Sequence, residues 1–218
     1  AEAEARGEVA GRRPIARVIS KLSDELGETW DMVAERRRDL ATAGMACFAL
    51  QVLRSARGLA IPLAAHSLGL DAIHVGMVTS AGNAMDLLLS PAAGWMMDKV
   101  GRRPTAVLSL SLMASGFAAL ALFAQRSVFS LVVVAAIIGM GNAFSSGMVM
   151  TIGGDLAPVD AKGAGRWLGV FRTLSDIGGV LGPVVVGIGG SGAGLILGLI
   201  GTVSATVVAI GMRETLST

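Results

Sequence analysis

The chain has 218 residues, of which 53% are hydrophobic and only 16% are charged, and its mean hydropathy is +0.67. These values lie outside the range of soluble domains and predict a membrane protein. The balance of 18 Lys and Arg against 16 Asp and Glu gives no sign of a nucleic-acid partner. Cys47 is the single cysteine, so neither a disulfide nor a cysteine-based metal site is expected, and no cofactor is expected either.

Residues 1–38 are rich in charge and are predicted to form a cytoplasmic linker. Apolar residues recur in it at the spacing of an amphipathic helix. Two interpretations of this helix stay open, a helix on the cytoplasmic membrane surface and a solvated linker helix. Its apolar positions are Ile15, Val18, Ile19, Leu22, Leu26, Trp30 and Val33.

Six apolar segments are each long enough to cross the hydrocarbon core, which takes about 20 helical residues. Backbone groups in lipid must be paired internally, so helices are expected. Together they predict a six-helix bundle over 39–213, followed by a cytoplasmic tail, 214–218. The segments run over about 40–66, 72–97, 104–124, 128–152, 164–188 and 191–212.

Basic residues in the connectors orient the bundle. If both termini face the cytoplasm, 14 Lys and Arg lie on that side and Arg126 alone lies on the other. Such asymmetry is typical of cytoplasmic loops, so both termini of the segment are predicted to be cytoplasmic, in the cell membrane.

Several polar side chains interrupt the apolar segments, and a charge inside a spanning helix costs about 2.5–3.5 kcal/mol on insertion scales. At 1.5 Å per residue, most lie roughly 17–22 Å from the cytoplasmic end, near the bilayer middle. A belt of this kind predicts a substrate and proton pathway at the midplane. Its members are Gln51, Arg54, Asn83, Asp86, Asn142, Arg172 and Asp176.

Arg54 is expected to pair with Asp86 or with Asp176, either as a structural ion pair or as part of a transport site. A carboxyl in a low dielectric has a raised pKa and can exchange protons near neutral pH. Arg172 precedes Asp176 by four residues, on the same helix face, so a local pair favours Asp86 as the acid that couples proton movement to transport.

Glycines four residues apart mark the fifth segment. Small residues at this spacing let helices approach closely, and a proline removes one backbone hydrogen bond and kinks the helix. The alternatives are a packing surface and a hinge used in conformational change. The residues concerned are Gly178, Gly182, Pro183 and Gly187.

The connector between the second and third segments, Gly94 to Pro104, reads GWMMDKVGRRP. It resembles the signature cytoplasmic loop of the major facilitator superfamily, GxLaDrxGRkx. The family positions fall on Gly94, Asp98, Gly101, Arg102 and Arg103. The stretches around Pro62–Val75 and Asp155–Pro183 are similar to the C-terminal half of efflux-type members.

The resemblance implies an all-α membrane protein whose six transmembrane helices form one half of a twelve-helix major facilitator fold, helices seven to twelve. The N-terminal half would then precede it in the same polypeptide. The resemblance also implies a conformational latch made of Gly94, Asp98, Gly101, Arg102, Arg103 and Asp155. In this latch Arg102 reaches Asp155, and Asp98 meets a helix end outside this chain.

The function expected from the resemblance is secondary active transport of a small organic solute or drug by alternating access, with proton-coupled efflux as the leading hypothesis. Proton-coupled uptake by symport is the alternative within this class. A non-transporting membrane scaffold or sensor with the same fold is the alternative from another class. An enzyme is not expected, because no ligand set or nucleophile with a paired base occurs among the segments.

Overall fold

A computed structural model describes residue 21, residues 23–123 and residues 126–214. These residues are almost entirely helical, and no strand occurs among them. Residues 23–35, here the leading helix, are followed by a short helix, Arg37–Asp39, and a π-helical turn, Leu40–Gly44. The bundle helices are α1 (Met45–Ser67), α2 (Ala72–Lys99), α3 (Arg102–Phe123), α4 (Val128–Ser145), α5 (Met148–Asp155), α6 (Ala161–Gly189) and α7 (Ala193–Gly211).

Three of these helices begin at a side-chain cap that the sequence supplies. Asp71 accepts a hydrogen bond from the backbone N–H of His74 at 3.0 Å and starts α2. Ser127 caps α4, and Asp160 caps α6. A side-chain oxygen at this position satisfies one of the N–H groups that the first helical turn leaves unpaired.

Helix directions follow from which ends meet. Arg103, at the start of α3, donates to the carbonyl of Ala209, near the end of α7. Leu120, near the end of α3, and Gly194, at the start of α7, line one cavity at the opposite end of the bundle. Helices α3 and α7 are therefore antiparallel. The C-terminal parts of α1 and α6 line the same cavity, so α1, α3 and α6 run in one direction.

The most extensive helix contacts join α1 to α6, α2 to α4, and α3 to both α4 and α7. The core between these helices contains no charged side chain among its fully buried residues in the described ranges. Its largest members are Trp167, Phe117, Phe171, Leu50, Leu53 and Ile61.

Three stretches of the described chain are long and apolar enough to cross a membrane by length and composition: Arg102–Phe123, Val128–Asp155 and Ala161–Gly211. The third has 51 residues, about 76 Å of helix, which is more than twice the thickness of a hydrocarbon core. It contains α6 and α7, joined by a 3₁₀ turn at Gly190–Gly192. Helices α1 and α2, with 23 and 28 residues, are long enough, but their composition does not meet the same criterion for a membrane span.

The predicted segment 128–152 lies within one stretch that is long and apolar enough to cross a membrane, Val128–Asp155, but its helix is interrupted. Helix α4 ends at Ser145, and Gly147 takes the left-handed conformation with φ of 77° before α5 begins. Glycine adopts this backbone conformation without steric cost, so the break occurs where the sequence permits it. The break lies five residues after Asn142, one of the predicted pathway residues.

Candidate functional site

Four polar side chains form a connected network across three helices, near the middle of α1 and α2 and close to the C-terminal end of α4. Arg54 of α1 donates from Nε to Oδ1 of Asn142 in α4, at 3.0 Å. The amide of Asn142 donates to Oδ2 of Asp86 in α2. Arg57 of α1 lies on the other side of Asp86, with Nη2 3.5 Å from the same carboxylate oxygen. These four residues are called the polar network below.

The direct pairing of Arg54 with Asp86 or Asp176 that the sequence predicts does not occur. Asn142 intervenes as a neutral bridge and is almost fully buried, with 2% of its surface exposed. Its position is fixed by the packing of α2 on α4, where Gly82 and Gly139 bring the two backbones into contact. An amide can donate and accept at once, so Asn142 joins a cation to an anion that lie on different helices.

Arg57 was missed as a site residue. It is three residues after Arg54, which places both on one face of α1, and this spacing was the signal available in the sequence. Its side chain is 17% exposed, and its Nη1 is buried without a hydrogen-bond partner among the described residues.

The second group of predicted pathway residues lines a small cavity of about 160 Å³ beside the network. Gln51 and Arg54 come from α1, and Arg172 and Asp176 from α6. The start of α5 closes it with Gly147, Val149 and Met150. Nε of Arg172 is 3.5 Å from the carboxylate of Asp176, so the local pair expected from the sequence is present, and both side chains are about 60% exposed.

Asn83 lies outside this arrangement. It is exposed on α2, three residues before Asp86, and no described contact joins its side chain to the network or to the cavity. The structure therefore brings together six of the seven predicted pathway residues, and it adds Arg57.

At the end of the bundle that the sequence predicts to face the cytoplasm, the loop motif contacts three other parts of the chain. Arg102 Nε lies 3.0 Å from Asp155 Oδ2, and its Nη1 donates to the carbonyl of Met97 at 2.7 Å. The contact between Arg102 and Asp155 that the resemblance implies is thus present. It joins the start of α3 to the end of α5.

Glu214 was not anticipated at this end. Its carboxylate accepts from the backbone N–H groups of Arg102, at 2.8 Å, and Arg103, at 3.2 Å. These are the free N–H groups of the first turn of α3, where a negative charge also meets the positive end of the helix dipole. Gly101, with φ of 125°, supplies the turn, and a side chain there would collide with Glu214.

Two further residues of the motif, Asp98 and Gly94, have few contacts in the described part of the chain. Asp98 has a contact within the chain, since Arg102 Nη1 lies 3.7 Å from its Oδ1, although 71% of the Asp98 side chain stays exposed. Gly94, another residue of the latch, is not closely packed, since a Cβ atom there would meet nothing within 4 Å in the described part of the chain.

The glycines of α6 differ in what they touch. A Cβ atom on Gly178 would collide with the carbonyl oxygen of Phe48, and one on Gly182 would lie 2.7 Å from the backbone nitrogen of Ala56. These two glycines form a close contact between α6 and α1, here called the glycine contact. Pro183 lies inside the helix beside it. Gly187 is exposed and has open space around it, so the expected packing role does not apply there.

Charged side chains hold the leading helix, and Arg36 just after it, to the first turns of α6 and to the connector before α6. Arg166 donates to the carboxylate of Glu28, and Arg36 donates to the carbonyl of Leu156 at 2.7 Å. The Arg36 guanidinium also lies 5.9 Å from the ring centre of Trp167. The hydrogen bond from Arg166 holds the pKa of the Glu28 carboxyl below its usual range.

Long apolar helices around a polar network define an integral membrane protein with a polar interior. The family model described as Major Facilitator Superfamily matches residues 43–215, and the chain belongs to this superfamily of membrane transporters. No curated protein gives a significant match to the sequence.

Proposed function

We propose that the protein is a secondary active transporter that moves a small organic solute out of the cell by alternating access, coupled to protons. The observation that carries the proposal is the polar network, which joins the middle of α1 and α2 to the C-terminal end of α4 and lies beside a polar cavity. Polar groups in the middle of spanning helices are costly unless they serve packing or transport.

Asp86 is the proposed coupling acid. Its carboxylate is the single acceptor that the Asn142 amide and the Arg57 guanidinium share. A proton on Asp86 would remove the charge that attracts both donors and would weaken the junction of the three helices. Proton binding would in this way change the relative stability of two arrangements of the bundle.

The latch is proposed to act at the cytoplasmic end. Arg102 holds Asp155 and Met97 within this half. The exposed carboxylate of Asp98 is available to a helix end of the other half, where it would meet the positive end of a dipole. Closing the latch would favour the outward-open state, and breaking it would favour the inward-open state.

The proposed architecture has six spans, formed by α1, α2, α3, α4 with α5, α6 and α7, with both ends of this segment in the cytoplasm of the cell. A preceding six-helix half of the same polypeptide would complete the substrate cavity, and residues 1–38 would be the end of the loop joining the halves. Leu26 and Trp30 of the leading helix are exposed large apolar side chains, which favours a helix that lies on the membrane surface.

Transport by the full-length protein in vesicles tests the proposal. With an imposed proton gradient and a panel of fluorescent drugs, we expect the wild type to move at least one compound against its gradient, and Asp86→Asn and Arg54→Ala to abolish this movement. Asp24→Asn removes a carboxylate from the exposed face of the leading helix and is the matched control. Normal coupled transport by both network variants, at normal expression, would contradict the proposed coupling site. Movement in the opposite direction would favour the uptake symporter, and no movement of any compound would favour the scaffold.

A further inference from the structure

The apolar parts of the helices contain more positive than negative charge. Three arginines, Arg54, Arg57 and Arg172, accompany two aspartates, Asp86 and Asp176. Each aspartate is already assigned, Asp86 to Arg57 and Asp176 to Arg172, with 3.5 Å between the charged atoms in both pairs.

Arg54 makes no direct ion pair among the described residues, and the charge of Asp86 acts on it only across the Asn142 bridge. Among the described residues, its side chain makes one hydrogen bond, to the neutral amide oxygen of Asn142. Its two terminal nitrogens, which together carry four N–H donors, have no acceptor in the described part of the chain. Behind it, the buried Nη1 of Arg57 lacks an acceptor as well, so Asp86 does not satisfy the donors of both arginines.

Arg54 is also the residue of the polar network that lines the cavity. Arg172 and Asp176 on the opposite wall neutralise each other, so the net charge of the cavity is that of Arg54. Gln51 adds an amide donor, whereas Val149 and Met150 supply an apolar wall. A guanidinium with free donors matches a carboxylate with two acceptor oxygens better than it matches any neutral group.

We propose that this cavity binds the negatively charged group of the transported solute, which is therefore an organic monoanion, a carboxylate with an apolar body. Arg54 is the charge partner, and Gln51 donates a second hydrogen bond. The inference rests on the proposed transport function and adds the substrate class to it. A carboxylate supplied by another part of the full-length polypeptide has the same chemistry, and the experiment separates the two sources.

The experiment uses the full-length protein and three probes with one carbon skeleton, 4-phenylbutyrate, 4-phenylbutanamide and 4-phenylbutylamine. Binding is measured as the rise in unfolding temperature with probe concentration, and movement as uptake of each labelled probe into proteoliposomes. We expect the acid to bind about tenfold or more tightly than the amide or the amine, because a charge-assisted hydrogen bond separates them.

Variants assign the effect to Arg54. Arg54→Gln is expected to weaken acid binding about tenfold or more, and Arg54→Lys, which keeps the charge but loses the paired donors of the guanidinium, is expected to retain part of it. Arg126→Gln removes an arginine that lies outside the cavity, in the connector before α4, and is the matched control. Its acid binding is expected to equal that of the wild type.

The inference is overturned if the amine or the amide binds as tightly as the acid, if none of the probes binds, or if Arg54→Gln leaves acid binding unchanged. If the wild type does not bind the acid, and Arg54→Gln without probe unfolds at a lower temperature than Asn142→Ala, which also loses the Arg54–Asn142 hydrogen bond, a carboxylate of the protein is the partner and the inference is overturned. Transport of the amine but not of the acid leaves the proposed transport function intact and removes only the substrate class. Binding of the acid without movement of any compound contradicts transport instead.

Discussion

Replacing Gly182 with alanine tests the glycine contact between α1 and α6. The added Cβ would lie 2.7 Å from the backbone nitrogen of Ala56, and the hydroxyl of Ser55 and the carbonyl oxygen of Val52 are closer still. Real Cβ contacts do not fall below 3.0 Å, so α1 and α6 would have to separate by at least about 0.3 Å, and by more to clear the nearer atoms. These atoms belong largely to backbone and cannot rotate away.

Overpacking of this kind costs about 1–3 kcal/mol. For a protein of this size each kcal/mol lowers the melting temperature by about 2–4 °C, which gives an expected fall of about 2–12 °C. The assay is thermal unfolding of the purified full-length protein in detergent, followed by tryptophan fluorescence. Gly178→Ala, which would meet the carbonyl oxygen of Phe48, is expected to behave in the same way.

Gly179→Ala is the matched control, because it makes the same change one residue away in the same helix. Its Cβ would have Gln51 Nε2 at 3.9 Å as its nearest neighbour, which is an ordinary contact. Alanine also restricts the unfolded chain, so this variant is expected to melt at the wild-type temperature or slightly above it. Equal melting of the Gly179 and Gly182 variants would refute the close contact.

Three further predictions concern the polar contacts. Asn142→Ala removes two interhelical hydrogen bonds, each worth about 0.6–1.7 kcal/mol in a membrane protein. The variant is expected to lower the free energy of unfolding by about 1–3 kcal/mol, measured in urea or thermal titrations. An unchanged free energy of unfolding would contradict the bridge. Glu214→Gln weakens the cap on α3, and hydrogen exchange at the start of α3 is expected to rise, while exchange at its C-terminal end is expected to stay constant. The contact of Glu28 with Arg166 contributes stability that is present above the usual glutamate pKa of about 4.3 and is lost as the pH falls through the lowered pKa of Glu28. Protease cleavage in the leading helix is therefore expected to stay slow at pH 7 and to rise in acid, and a Glu28→Gln variant cleaved no faster than wild type at pH 7 would contradict this.

The helices could be placed from the sequence because spanning segments need long apolar runs, and helices occur in the structure at each of the six predicted positions. The pair of Arg172 and Asp176 could also be predicted, since residues four apart share a helix face. The loop motif led to the contact of Arg102 with Asp155 because the resemblance supplied both partners.

Contacts that depend on which helices are neighbours could not be predicted. The bridge from Arg54 through Asn142 to Asp86 requires α4 to lie against both α1 and α2, and apolar periodicity does not specify this arrangement. The break at Gly147 was missed because a single glycine in an apolar run occurs in intact helices as well. Glu214 follows the last helix by three residues, and only the return of α7 to the start of α3 brings it to the motif.

The central claim is that this protein is an alternating-access transporter whose substrate site is the polar cavity. Measuring access to the cavity from both sides of the membrane tests this claim and does not require the substrate to be known. A Gln51→Cys variant, with other reactive cysteines replaced, places one thiol in the cavity lining, whereas Cys47 of the same helix is fully buried and serves as the unreactive control. The rate of labelling by a membrane-impermeant thiol reagent is measured from each side of oriented vesicles. The account predicts labelling from both sides, with Asp98→Asn raising the cytoplasmic rate and lowering the outer rate. Labelling from one side only, with no change in the Asp98 variant, would contradict it.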